Sequence, residues 1–147
     1  MLQGVKNVEM ARDQLSQRMT TAIELEQVEM ERNIGVLGTM ANIAPGRFMF
    51  GIGIGGEDRH EIEICGVDPR TRGARTNESL AIIRSLSAGE TVSFAGEHFQ
   101  IEKARIKPAP RHRIPIIIGG KSEPALRRAA RNDGWFGSGD SLADVLE

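Results

Sequence analysis

Cross-links and multi-cysteine metal sites are excluded at once, because Cys65 is the only cysteine in the 147 residues. A lone thiol fits a reducing compartment, so the expected location is cytoplasmic. Charge of one sign is also missing: 19 basic and 20 acidic residues nearly cancel. That balance leaves no strong electrostatic case for nucleic acid or for an anionic membrane surface. No apolar run approaches the roughly 20 residues that a membrane helix needs. The stretch Met1 to Lys6 lacks a basic cluster followed by an apolar core and does not read as a signal peptide. There is no Gly-x-Ser-x-Gly elbow, no Walker loop and no His-Glu-x-x-His. What remains, 39% hydrophobic and 27% charged with aromatics lean at 4%, is the make-up of one soluble globular domain.

The hydrophobic period divides the chain. Val8, Ala11, Leu15, Met19, Ala22 and Ile23 recur at helical steps, which predicts a helix over residues 8–30. A second helix is expected from about Val28 to Ile43, weakened by Gly35 and Gly38 and stopped by Pro45-Gly46. From Arg47 to Gly55 the period becomes two. Phe48, Phe50, Ile52 and Ile54 point one way, and Met49, Gly51, Gly53 and Gly55 the other. A strand nearly empty on one face makes sense where a ligand or another backbone comes close.

Gly56 to Arg72 reads as loop with one short helical turn near His60 to Cys65. Thr76 to Leu86 follows as an amphipathic helix with Leu80, Ile83 and Leu86 inward. Val92 to Ile101 predicts a hairpin turning at Ala95-Gly96-Glu97, and Lys107 to Pro110 an extended linker. Ile114 to Ile118 is a short β-branched run, the mark of a strand covered on both faces. After Gly119-Gly120, Ser122 can cap a helix lined by Ala125, Leu126, Ala129 and Ala130. Trp135 to Ser138 is a further strand, and Ser141 caps a last helix to Glu147. Alternating helices and strands predict an α/β fold with a parallel sheet of right-handed βαβ units.

Two glycine clusters carry candidate chemistry. A turn such as Gly119-Gly120-Lys121-Ser122, between a strand and a helix start, presents backbone N–H groups to an anion, and Lys121 adds a charge. The plain alternative is a glycine turn with an ordinary serine cap, and Glu123 would oppose an anion. Gly51-x-Gly53-x-x-Gly56 matches a dinucleotide fingerprint formally, but the helix that pattern requires does not follow it. Glu57, Asp58 and His60 follow the first strand, where a solvated acidic loop is the simpler reading. Arg75 and Glu78 read as a structural pair one helical turn apart. His98, His112 and Cys65 lack partners at ligand spacing, and Arg111 to Arg113 is a short basic patch.

Three stretches taken in order resemble the luciferase-like monooxygenase superfamily of flavin- or deazaflavin-dependent oxidoreductases. They are Thr39 to Gly56, then Arg72 to Glu78 with Leu80 and Ile83 to Leu86, then Pro115 to Glu123 with Ala125 to Ala130 and Asp133 to Trp135. The resemblance covers about residues 35–147 and implies part of a (β/α)8 TIM-type barrel, a fold that needs about 250 residues. By it, residues 31–147 supply the fourth to sixth strand units. Residues 1–30 form a helical extension unlike the family, and the seventh and eighth strands would lie beyond Glu147.

The resemblance also implies FMN or the deazaflavin coenzyme F420 as cofactor. Gly119, Gly120, Lys121 and Ser122 would lie at its phosphate, with Gly55, Gly56 and Glu57 near its ring. Hydride transfer or oxygen activation at that ring is the implied activity, on a small-molecule substrate; no catalytic residue stands out. An incomplete barrel has open strand edges, so a homodimer, or a partner supplying the missing half, is expected. A non-catalytic dimerising fragment or cofactor-binding remnant is the alternative.

Overall fold

A computed structural model describes residues 2–55 and 58–137. In chain order these form α1 (Leu2–Ile43), β1 (Phe50–Ile52), α2 (Arg59–Glu63), α3 (Arg72–Ser87), β2 (Val92–Ala95), β3 (Gln100–Ala104), β4 (Ile116–Gly119), α4 (Glu123–Ala129) and β5 (Gly134–Phe136). The helix expected after Ser141 lies outside the described residues.

The two helices expected before Pro45 are one. No proline lies between Leu2 and Ile43, and the glycines there, Gly4, Gly35 and Gly38, cost only about 1 kcal/mol each in a helix. Gly38 is also used: a Cβ there would stand 2.6 Å from the Pro108 carbonyl oxygen. The resulting helix is about 63 Å long at 1.5 Å per residue. Residues 9–18 are exposed along it, whereas Ile34 and Ala41 are buried. Asn42 fastens its end, donating to the Ala109 carbonyl at 3.0 Å and accepting from the Arg111 amide at 2.8 Å.

One core cluster joins α1, α3 and the β2–β3 hairpin through Ile34, Ile82, Leu86, Phe99 and Ile101. A second joins α3 and α4 to the sheet through Leu80, Ile116, Ile118 and Ala129. Helix α3 begins at Arg72, one turn earlier than Thr76, and serves both clusters. That double burial is why Ile82, absent from the expected inward stripe, is fully buried.

Strands β1, β4 and β5 form a parallel sheet in the order β1-β4-β5, with Ile52 beside Ile118 and Ile118 beside Trp135. The strands are shorter than expected at β1 and β5, but the alternation in β1 holds. Phe50 and Ile52 are half-buried, whereas Met49, Gly51 and Gly53 are exposed. One face of the sheet, with Phe50, Ile52, Ile116, Ile118 and Trp135, packs against the helices.

The expectation that β4 is covered on both faces is corrected. Ile117 on the opposite face is only half-buried, with Gly51 and Gly134 as its neighbours across the sheet. On that face Phe136 is 64% exposed. Among the described residues nothing lies within 4 Å of a Cβ built on Gly51 or Gly53. Parallel sheets normally bury both faces. Among the described residues no helix is long and apolar enough to cross a membrane.

Candidate functional site

Because the three strands are parallel, the segments that follow them gather at one edge of the sheet. These are Gly53 to Gly55 after β1, Gly119 to Ser122 after β4, and Gly137 after β5. In open and closed α/β sheets this carboxyl edge is where ligands bind.

The turn after β4 is built with little freedom. Gly119 lies between its neighbours, where an added Cβ would stand 3.5 Å from the Ile52 carbonyl and 3.8 Å from that of Phe136. Gly120 has φ +109°, a region side-chain-bearing residues rarely adopt, and a Cβ there would meet Ala125 at 3.3 Å. The Trp135 indole N–H donates to the Gly120 carbonyl at 2.7 Å. The Gly120 amide in turn donates to the Phe136 carbonyl at 3.4 Å. Strand β5 therefore pins the turn from both sides, and the Gly120 N–H is already engaged.

Lys121 and Ser122 are exposed beside it. Ser122 occupies the N-cap position of α4, but its side chain makes no capping bond, which corrects the expected cap. Pro124 in the first turn removes one amide that a cap would serve. Glu123, expected to oppose an anion, is turned along α4 to Arg127 at 2.5 Å. The expected apolar lining of α4 also changes: Leu126 is exposed and Arg128 is 4% exposed. Arg128 ties α4 to α3, donating to Asn77 Oδ1 at 2.8 Å and the Gly73 carbonyl at 3.2 Å. Burial, then the nearby Arg131 charge, lowers its pKa.

After β1, Gly55 has φ +92° and a Cβ there would meet Ile62 of α2 at 3.3 Å, so α2 packs under this loop. Gly56 and Glu57 lie outside the described residues. Asp58 caps α2, accepting from the His60 amide at 2.8 Å. His60 is exposed. Cys65 is an exposed free thiol, and among the described residues no group of three or more His, Cys, Asp or Glu could hold a metal.

Glu78 has a role that sequence spacing did not reveal. Its carboxylate accepts the Glu97, His98 and Phe99 amides at 2.9, 3.0 and 3.1 Å, closing the hairpin turn 19 to 21 residues away. Partial burial pushes its pKa up, but the three amides outweigh this and hold it below the usual carboxylate value. A Cβ on Gly96 would stand within the Glu78 carboxylate, so only glycine fits there. The Arg75 guanidinium stacks over the Phe99 ring at 4.7 Å. A cleft of 490 Å³, with Phe50, Ile116 and Asp133 among its lining, lies at the opposite, amino edge of the sheet, away from the glycine turns.

These features suit a flat, phosphate-bearing cofactor in two respects. Among the described residues the face bearing Gly51 and Gly53 is uncovered, and the rigid glycine turn stands at the carboxyl end of the same sheet.

Comparison with known proteins bears on the same region. The family model for luciferase-like monooxygenases matches residues 36–145. An uncharacterised protein of Mycobacterium tuberculosis is 45% identical over 92 residues, which is 61% of this chain and 32% of that protein. An F420-dependent glucose-6-phosphate dehydrogenase of Nakamurella multipartita is 36% identical over 95 residues, covering 63% of this chain and 28% of the enzyme. A solved F420-dependent secondary alcohol dehydrogenase, in complex with an F420-acetone adduct, superposes with a TM-score of 0.53 at 26% identity. That match covers 62% of this chain and 28% of the other. The matched part of this chain thus spans about a third or less of the length of these relatives.

Proposed function

Since the chain belongs to the luciferase-like monooxygenase family, we propose that it carries part of the cofactor site of an F420-dependent oxidoreductase. In this reading β1, β4 and β5 are the fourth to sixth strands of a barrel, and the bare glycine face looks into its interior. Gly119, Gly120, Lys121 and Ser122 would hold the phosphate arm. Gly51 and Gly53 leave room for the ring, with Gly55, Gly56 and Glu57 at its margin. The observation that carries the reading is the turn at Gly120, whose φ of +109° and bond from Trp135 hold a glycine loop rigid at the strand ends. The deazaflavin is favoured over FMN because two of the three relatives described above are F420-dependent enzymes.

When bound, such a cofactor supplies a ring that accepts or gives a hydride. The part of this chain is placement: the turn fixes the phosphate end, and the glycine face lets the ring lie against backbone. The face needs an opposing wall to exclude water, which further strands or a second copy of the chain would provide.

The test is a fluorescence titration with F420 and, separately, FMN. Saturable F420 binding is expected, weakened at least about tenfold, or 1.4 kcal/mol, by Gly120→Asp. Lys121→Ala, which leaves the turn's backbone alone, gives a smaller loss. Absence of binding by either cofactor, with circular dichroism showing a folded chain, overturns the reading.

A second reading is supported by the same uncovered face with its exposed Phe136: a non-catalytic remnant that dimerises through it. Under that reading the chain sediments as a dimer and shows no hydride transfer even where cofactor binds.

A further inference from the structure

The cleft at the amino edge of the sheet plays no part in the cofactor reading, and its chemistry differs from that of the glycine turns. Its volume of 490 Å³ falls in the range of small-molecule sites, about 300–1,000 Å³. The floor is apolar, made by Phe50 and Ile116 on the helix-covered face of the sheet and by Ile83 of α3. One wall is the last turn of α3 and the other is the segment Arg111 to Ile114.

Arg84 on the α3 wall is half-buried and its orientation is set by neutral groups. It donates to Asn132 Oδ1 and, at 3.4 Å, to the Arg131 carbonyl. Among the described residues no carboxylate lies within ion-pair distance of it. A partly desolvated guanidinium held in place without a counterion favours an incoming anion. Two acids line the cleft: Glu90 is exposed, and Asp133 is already committed, its Oδ1 pairing with Arg113 at 2.5 Å and its Oδ2 accepting the Ile116 amide at 2.9 Å. Arg111, exposed on the facing wall, adds a second cation. The carbonyl end of α3 points here, so a densely charged phosphate is disfavoured relative to a single negative charge.

We propose that this cleft is a second binding site, taking a small monocarboxylate whose apolar body lies on Phe50, Ile83 and Ile116 while its carboxylate meets Arg84. Its occupancy is independent of the cofactor edge, since Phe50 and Ile116 open the strands that Ile52 and Gly119 close.

The experiment loads the full chain with the fluorescent anion anilinonaphthalene sulfonate and displaces it with octanoate or, as the uncharged match, octanol. Octanoate is expected to displace the dye from the native chain, and Arg84→Gln to raise the octanoate required at least about tenfold. Arg111→Gln, at an exposed side chain, gives a smaller rise in the same direction and decides the matter if Arg84→Gln fails to fold. Dye bound only on the bare glycine face would respond alike to octanoate and octanol and ignore both arginine changes. That outcome overturns the proposal.

Discussion

The two faces of the three-stranded sheet are made by the same residues in alternation, yet they meet different surroundings. On one face, Ile52, Ile116, Ile118 and Trp135 pack with α3 and α4 in an apolar core, and Phe50 beside them lines the amino-edge cleft. On the other, Gly51, Gly53, Gly119 and Gly134 surround Ile117, and Phe136 stands in solvent. The covered face obtains its partners from nearby chain, because each helix folds back over the strands that flank it. Among the described residues the bare face has no such local partner, and its glycines leave it without side-chain filling. One strand can thus be structural on one side and available for ligand on the other.

Replacing Ile118, 1% exposed on the covered face, should break that comparison most visibly. Ile118→Ala is expected to cost about 2–5 kcal/mol in chemical denaturation, from lost burial and the cavity left behind. A loss well under that range would mean the helices are loosely seated on the sheet.

An intermediate effect is expected at Glu78, which braces the helix side from α3. Its folded pKa is depressed, so the stability it contributes is present above its unfolded pKa and is lost as the pH falls through its folded pKa. The midpoint of denaturation should fall on acidification across the carboxylate range, and Glu78→Gln should flatten that slope. An unchanged slope in the variant would assign the acid sensitivity to other carboxylates.

The smallest effect sharpens the contrast from the open side. Among the described residues Gly51→Ala meets no atom within 4 Å, so stability should change by less than about 0.5 kcal/mol. Under the cofactor reading the same methyl should weaken F420 binding measurably. A large stability change at Gly51 would show that the face is covered after all.

Local pattern made much of this legible in advance. The period-two stretch around Phe50 and Ile52, the Ile116 to Ile118 run ending in two glycines, and the helical spacing from Leu80 to Leu86 each act through neighbours a few residues apart. Those elements, and the parallel arrangement that their alternation implies, are all present. The hairpin is present with its turn at residues 96–99, one residue later than expected because Ala95 still pairs with Gln100. The carboxylate that holds it was not legible, because Glu78 and Phe99 are 21 residues apart and no spacing rule joins them. Leu126, expected in the lining of α4, is exposed and Arg128 is buried for a related reason. Which face of a short helix is buried depends on the partner it meets, and Arg128 found an acceptor in Asn77.

The candidate site divides in the same way. Glycines at 119 and 120 after an apolar strand were visible as a turn, whereas the indole bond that rigidifies it and the missing serine cap were not. Arg111 was visible as part of a short basic patch, but no spacing rule joins it to Arg84, which α3 and the linker bring to the same cleft.

By itself, then, the order of residues determined helix, strand and turn, together with the contrast between bulky and bare sides of β1. These follow from backbone geometry and side-chain period, which are properties of adjacent residues. The tertiary structure decided which side was covered, which acid met which amides and which neutral groups hold Arg84. Those outcomes depend on contacts between segments tens of residues apart, where burial and hydrogen-bond partners are set by the three-dimensional neighbour rather than the next residue in the chain.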